Sequence, residues 1–152
     1  MACSTSGSLE NISADTDTNS MKQLAAVARA LAEPNRIRIL AALRGGELCV
    51  CELCDALALS QSTLSTHLRV IRQAGLVTSR RQGKWMYYAV KPEAAVLVGG
   101  VFSLFGESLD GDRRLGADAK RLSTRLSRRS DGQCCVGFGC GPGRGSGKEG
   151  CA

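Results

Sequence analysis

Between Val50 and Gln73 two helical apolar stripes are separated by almost nothing, and this constrains the fold of the chain more than any other feature. Val50, Leu53 and Leu57 recur at helical spacing, and so do Leu64, Leu68 and Ile71. Leu59 is a short connection. Ser60 is a good N-cap for the second stripe, because its hydroxyl accepts an early free N–H. Gly75 suits the position just past the helix end. Two short helices with so tight a turn predict a helix-turn-helix.

The flanks extend the pattern. Met21, Leu24, Ala28 and Leu31 predict a first amphipathic helix, which Pro34 ends. Ile37, Leu40 and Leu43 predict a second helix, stopped by Gly45-Gly46. After Gly75, segments 76–81 and 84–90 are rich in β-branched and aromatic residues, with Gln82-Gly83 as a hairpin turn between them. A hairpin directly after a helix-turn-helix is a wing. Pro92 opens a fifth helix through about Leu109. Its Val98, Val101, Phe102, Phe105 and Leu109 are more apolar than one small monomer covers, so the first and fifth helices are expected to form a dimer interface. The fold class is mainly α with a small β-hairpin. The expected organisation is a disordered head at 1–19, a winged helix-turn-helix domain at 20–109, and a basic, then Gly/Cys-rich flexible tail at 110–152. Residues 110–130 have Leu115, Leu122 and Leu126 and can continue as a weakly helical stretch. From Asp131 on, 8 of 22 residues are Gly, too many for a packed element.

Charge and cysteine content narrow the chemistry. The chain has 152 residues and a formal net charge of +6. The head is acidic, whereas residues 20–109 carry 11 basic against 6 acidic side chains. A basic middle fits a polyanionic partner. No apolar run approaches the ~18 residues of a membrane span, and no basic-then-apolar leader is visible, so no membrane partner and a cytoplasmic location are expected. In that compartment eight cysteines point to metal or redox chemistry, not to a disulfide framework.

Three of the eight crowd into Cys49, Cys51 and Cys54, just before the predicted recognition helix. Thiolates select soft, thiophilic ions. On an ideal helix Cys51 and Cys54 share a face, while Cys49 lies about 200° around the axis from Cys51. Either Cys49 precedes the first turn or binding unwinds that turn. A second cluster, Cys134, Cys135 and Cys140, sits in the glycine tail, with Cys151 beyond it. It is a candidate second site without a rigid lever to the helix-turn-helix. A tetrahedral zinc site needs a fourth ligand, and the chain has a single histidine, His67.

The predicted recognition helix turns Ser62, Thr66, Arg69 and Gln73 away from its apolar stripe, with Gln61, Thr63 and Ser65 near its N-terminal end. Such an end reads the major groove, where Gln pairs with adenine and Arg with guanine. Arg80, Arg81 and Lys84 flank the hairpin tip and are placed to meet phosphate. His67 lies at the edge of the stripe, either as a phosphate contact or as a partly buried structural residue.

Four stretches, Leu31–Leu40, Glu47–Cys54, Ser60–Leu68 and Ala74–Val77, resemble the ArsR-type metalloregulators. These are dimeric winged-helix repressors of bacteria and archaea. The resemblance covers about 20–109. The Cys-Val-Cys-x-x-Cys run resembles that of the branch responding to trivalent arsenic and antimony. It implies double-stranded operator DNA and a second copy of the chain as partners, with trivalent arsenic or antimony as regulatory ligand on Cys49, Cys51 and Cys54. No organic cofactor is implied. Two alternatives stay open: a thiol–disulfide switch in the same repressor, and sensing through the C-terminal cysteines. An enzyme is not expected. Cys51-Glu-Leu-Cys54 is nominally a redox motif, but no βαβ unit accompanies it.

Overall fold

The computed structural model describes residues 14–134, with side chains described from Asn19. The elements run α1 (Ala14–Leu31), α2 (Pro34–Leu43), β1 (Leu48–Cys49), α3 (Val50–Leu57), α4 (Gln61–Gln73), β2 (Val77–Gln82), β3 (Trp85–Val90), α5 (Pro92–Leu104), α6 (Gly106–Asp110) and α7 (Arg113–Leu126). This is a winged helix-turn-helix, mostly helical with a small antiparallel sheet of order β1-β3-β2.

Local chemistry places the boundaries. Pro34 occupies the first turn of α2, and the Glu33 carboxylate accepts from the Arg36 N–H at 3.0 Å. Ser60 caps α4 by accepting from the Thr63 N–H at 3.2 Å. The α4 C-terminus is closed by Gly75 at φ +76°, with Leu76 N–H donating to Ile71 and Gly75 N–H to Arg72. That pair of bonds satisfies carbonyls a helix end otherwise leaves open. Between α3 and α4, Ala58 takes a left-handed conformation at φ 52°, which makes the turn tight. The Gln23 side chain of α1 donates to the Ala74 carbonyl at 2.9 Å and ties α1 to the end of α4.

Ile39, Leu40, Leu53, Leu57, Leu64, Leu68 and Ile71 form the centre of the core. It is thus built from α2, α3 and α4, with Val77 from the wing and Val98 and Phe102 from α5. Packing α3 and α4 on a shared core fixes their mutual angle, so a displacement of one is felt by the other.

Several elements differ from their sequence-based outlines. Helix α1 begins at Ala14, within the stretch expected to be a disordered head. The wing gains a third strand, β1, paired with β3 through Leu48–Tyr88 and Cys49–Tyr87. Gln82 pairs with Trp85, so the hairpin tip is Gly83-Lys84, with Gly83 at φ 58°. The fifth helix stops at Leu104, and Phe105 separates it from the short α6. The largest difference is α7. The expected weakly helical tail is a 14-residue helix lying antiparallel along α3, started by Asp112, which accepts from the Arg114 and Leu115 N–H groups.

What holds α7 is charge. Asp118, Arg121 and Arg125 recur every three or four residues and so share one face, and Arg129 follows just past the helix end. Asp118 takes both Arg38 Nε and Nη2 at 2.6 and 2.8 Å. Arg121 Nε donates to the Ala56 carbonyl at 2.7 Å. Arg125 Nε lies 2.9 Å from Asp55 Oδ2, and Arg129 donates to both oxygens of Glu52. The Leu122 and Leu126 side chains pack on the core beside this face. Sequence periodicity pointed to the leucines; the arginines add hydrogen bonds and ion pairs to α3.

Candidate metal centre and nucleic-acid interface

Cys49 is the N-cap of α3. Its sulfur accepts from the Glu52 N–H at 3.4 Å, while its own N–H donates to Glu52 Oε2 at 2.8 Å. This reciprocal capping holds Cys49 in an extended conformation, φ −81° and ψ 162°, ahead of the first helical turn. Freed from helical geometry, its sulfur turns toward that of Cys51. No unwinding is needed to bring these two together.

The third sulfur of the cluster comes from the other end of the domain. After α7 the chain reverses through Asp131 and Gly132, at φ 51° and 74°, with a bridge between Ser130 and Gln133. The turn delivers Cys134 to α3. The Cys134 N–H donates to Tyr87 Oη at 3.1 Å, and its sulfur lies 3.1 Å from that of Cys51. The sulfurs of Cys49, Cys51 and Cys134 all lie within 4.8 Å of one another, and all three residues are buried. Among the described residues this is the one group of three or more potential metal ligands.

Cys54 is placed elsewhere. It is buried in the main core with Leu53 and Leu57, and burial, followed by the charge of Asp55, pushes its thiol up to about 11. Cys49, Cys51 and Cys54 are thus not the trio the fold gathers, because Cys54 lies inside a regular helix whose core-facing side it occupies. Of the tail cluster, Cys134 joins the α3 cysteines; Cys135 and Cys140 lie outside the described residues, as do Cys3 and Cys151.

The electrostatics favour a thiolate at Cys51. Hydrogen bonding with Cys49 lowers its pKa to about 6 against the opposing effect of burial, with help from Cys134 and the charge of Arg125. The same hydrogen bond raises Cys49, which keeps its proton. Arg125 Nη2 lies 3.7 Å from Cys134 Sγ. A buried cation beside thiols is the usual way a protein stabilises a thiolate. The donor set, three soft sulfurs and no gathered imidazole, fits a three-coordinate thiophilic ion better than a tetrahedral one.

On the other side of the turn, α4 presents Gln61, Ser62, Thr63, Ser65, Thr66, Arg69 and Gln73 to solvent, while Leu64, Leu68 and Ile71 are buried. Some of these side chains are already engaged: Ser60 Oγ donates to Thr63 Oγ1 at 2.8 Å, and Thr66 Oγ1 donates to the Ser62 carbonyl at 3.1 Å. Arg69 and Gln73 are open on the same face. His67 is largely buried, with Nδ1 3.3 Å from Glu33 Oε2 at the start of α2 but without a hydrogen bond. On the wing, Arg81 and Lys84 are exposed, Lys84 lying 5.2 Å from the Trp85 ring. Arg80 is held by both oxygens of Glu47 and lies over the Tyr87 ring at 4.9 Å. It braces the wing against β1.

Sequence reasoning missed Arg125, Glu52 and Tyr87 as parts of the thiol site, and missed Cys134 as a partner of Cys49 and Cys51. The signal was present in Glu52 and Asp55, two carboxylates in an otherwise apolar helix, opposite an arginine every fourth residue in 121–129.

Residues 33–79 match the model of the bacterial regulatory proteins of the arsR family. The chain is 40% identical over 111 residues to the arsenic resistance transcriptional regulator ArsR1 of Pseudomonas putida, covering 72% of this chain and 85% of that one. It is 48% identical over 63 residues to the arsenical resistance operon repressor of Escherichia coli, covering 41% of this chain and 54% of that one. Among solved structures, the homodimeric winged helix-turn-helix DNA-binding domain of a possible ArsR-family regulator from Mycobacterium bovis superposes with a TM-score of 0.59 at 30% identity, over 66% of this chain and 94% of that one. A DNA-binding fold, a family match across the helix-turn-helix and extended identity to these regulators agree, and the chain belongs to the arsR family of bacterial regulatory proteins.

Proposed function

We propose that this protein is a transcriptional repressor that binds operator DNA as a homodimer and releases it when trivalent arsenic or antimony is held by Cys49, Cys51 and Cys134. The observation that carries the reading is the grouping of three buried sulfurs at the head of α3, one short helix away from the DNA-facing α4. A trivalent ion on three thiolates is neutral, which suits a buried site where neighbouring charges are already paired. Family membership and relatives named for arsenic resistance support the same ligand class.

Under this reading Gln61, Ser65, Arg69 and Gln73 face base edges, and Arg81 and Lys84 reach phosphate on the wing side. The two copies meet through α1 and α5, where Leu24, Val96, Leu104 and Phe105 are exposed. No helix among the described residues is long and apolar enough to cross a membrane.

The 3.1 Å separation of the Cys51 and Cys134 sulfurs favours a second reading, a disulfide formed between them under oxidation. One experiment tests both. Operator binding is titrated with arsenite and, separately, with peroxide, for the wild type and for Cys51→Ser, Cys134→Ser and Cys54→Ala. Release by arsenite that is lost in the first two variants and kept in Cys54→Ala is the expected result. Arsenite release surviving both Cys51→Ser and Cys134→Ser refutes this site, and release by peroxide alone transfers the function to the disulfide.

A further inference from the structure

The thiol cluster lies at the N-terminal end of α3, whereas α4 is joined to its C-terminal end. Helix α3 is only eight residues long, and Cys49 stands in extended conformation ahead of its first turn, where its sulfur already lies near those of Cys51 and Cys134. Closing the thiol cluster therefore does not require α3 itself to deform, and another route to the helix-turn-helix turn is needed.

Helix α7 spans the gap. Its C-terminal end, followed by Cys134, sits at the thiols, with Arg125 on Asp55 and Arg129 on Glu52 and the Glu47 carbonyl. Its middle sits at the far end of α3. There Arg121 Nε donates to the Ala56 carbonyl at 2.7 Å, and Asp118 orients Arg38, whose Nη2 donates to the Leu57 carbonyl at 2.7 Å. These are the last carbonyls of α3, which lack partners within the helix, immediately before the left-handed Ala58 that sets the turn into α4. One rod therefore grips the ligand site at one end and the turn at the other.

We propose that α7 is the element that transmits occupancy of the thiol site to the recognition helix, with Arg121, Asp118 and Arg38 as positioning residues at the output end. This rests on the reading of Cys49, Cys51 and Cys134 as the regulatory site. Trivalent arsenic, arriving as As(OH)3, exchanges its three hydroxyls for the sulfurs of Cys49, Cys51 and Cys134, each hydroxyl leaving as water with a proton from a thiol or from solvent and the arsenic staying trivalent; Cys134 is thereby tied to Cys49 and Cys51 and α7 is seated fully. Seated α7 holds the Ala56 carbonyl through Arg121 and, by orienting Arg38 of α2 through Asp118, the Leu57 carbonyl, and so fixes the turn in the arrangement that DNA disfavours. DNA binding loosens the same grip. The two sites then bias one two-state element in opposite directions, which is what allosteric coupling requires.

The test separates ligand binding from coupling. Arsenite binding is followed by its sulfur–arsenic ultraviolet absorbance, and operator affinity is measured with and without saturating arsenite. The variants are Arg121→Gln, at a half-exposed position that tolerates change, and the double Arg38→Gln/Asp118→Asn, which leaves no lone buried charge. Both are expected to bind arsenite at wild-type stoichiometry. Their ratio of operator affinities without and with arsenite is expected to fall at least about fivefold from wild type, the low end of ordinary allosteric coupling. Arg121→Lys, which keeps a cation beside Asp118, is expected to restore most of the ratio. An unchanged ratio in both Gln variants, with arsenite bound, overturns the role of α7 and leaves the thiol site standing. A wild-type protein that binds no arsenite removes the thiol-site reading itself, and this inference with it.

Discussion

Removing the Asp118 carboxylate should be among the most damaging single changes outside the apolar core. Arg38 and Asp118 are both about 6% exposed, so solvent screens their pairing little. In Asp118→Ala, Arg38 keeps its bonds to Asn35 Oδ1 and the Leu57 carbonyl but loses both contacts to the carboxylate. Breaking a buried pair by removing one partner costs about 3–5 kcal/mol, because the remaining charge stays desolvated. The lost Arg121 contact adds little, since Arg121 is 42% exposed. Against a total stability of about 5–15 kcal/mol, the change approaches unfolding for a marginal domain. The double variant Arg38→Met/Asp118→Leu removes both charges and leaves chiefly the Leu57 carbonyl without its donor, a cost of about 1–3 kcal/mol. The double variant should therefore be more stable than the single one, a sign that simple additivity cannot produce. Urea unfolding followed by circular dichroism measures both. If α7 detaches alone, the urea dependence becomes shallower as well. A loss under about 1 kcal/mol in Asp118→Ala, or a double variant worse than the single, would refute the assignment of α7 as an ionically docked part of the domain.

Arg69→Ala should weaken operator binding by about 1–3 kcal/mol if the side chain pairs with a base, and fluorescence anisotropy showing unchanged affinity removes it from the reading face. Cys51 is a depressed acid, so the stability its thiolate contributes is present above about pH 9 and is lost as the pH falls through about 6. Its thiolate absorbance should titrate near 6 and vanish from that range in Cys51→Ser; a midpoint at the ordinary cysteine value contradicts the hydrogen bonding described. Arg125→Met should move that midpoint upward by removing a buried cation beside the cluster, as the same titration would show. Phe105→Asp should convert a dimer to monomer in sedimentation, because it places a charge on the exposed apolar surface at the end of α5; a dimer that persists puts the interface elsewhere.

Much of the domain was legible because its signals are local. Ser60, Gly75, Pro34 and the Leu64-Leu68-Ile71 stripe act within one or two turns, and each appears where spacing placed it. The readings failed where a partner distant in sequence decides. Phe105 ends α5 early and the β1 pairing extends the wing, although neither has a strong local marker.

The thiol site divides along the same line. Sequence alone determined that soft ligands concentrate at the head of the helix preceding α4, and that Cys49 and Cys51 cannot both point one way from a regular helix. It therefore required Cys49 to stand outside the first turn or that turn to unwind, and the Glu52 capping box realises the first option. Which cysteine completes the group was decided only by tertiary structure. Cys54 is five residues from Cys49 yet faces the core, and Cys134 is 83 residues from Cys51 yet 3.1 Å away. The physical reason is that helical register turns a near neighbour aside, whereas the Arg125–Asp55 and Arg129–Glu52 pairs on α3, with the buried Arg38–Asp118 pair on α2, carry a distant residue in.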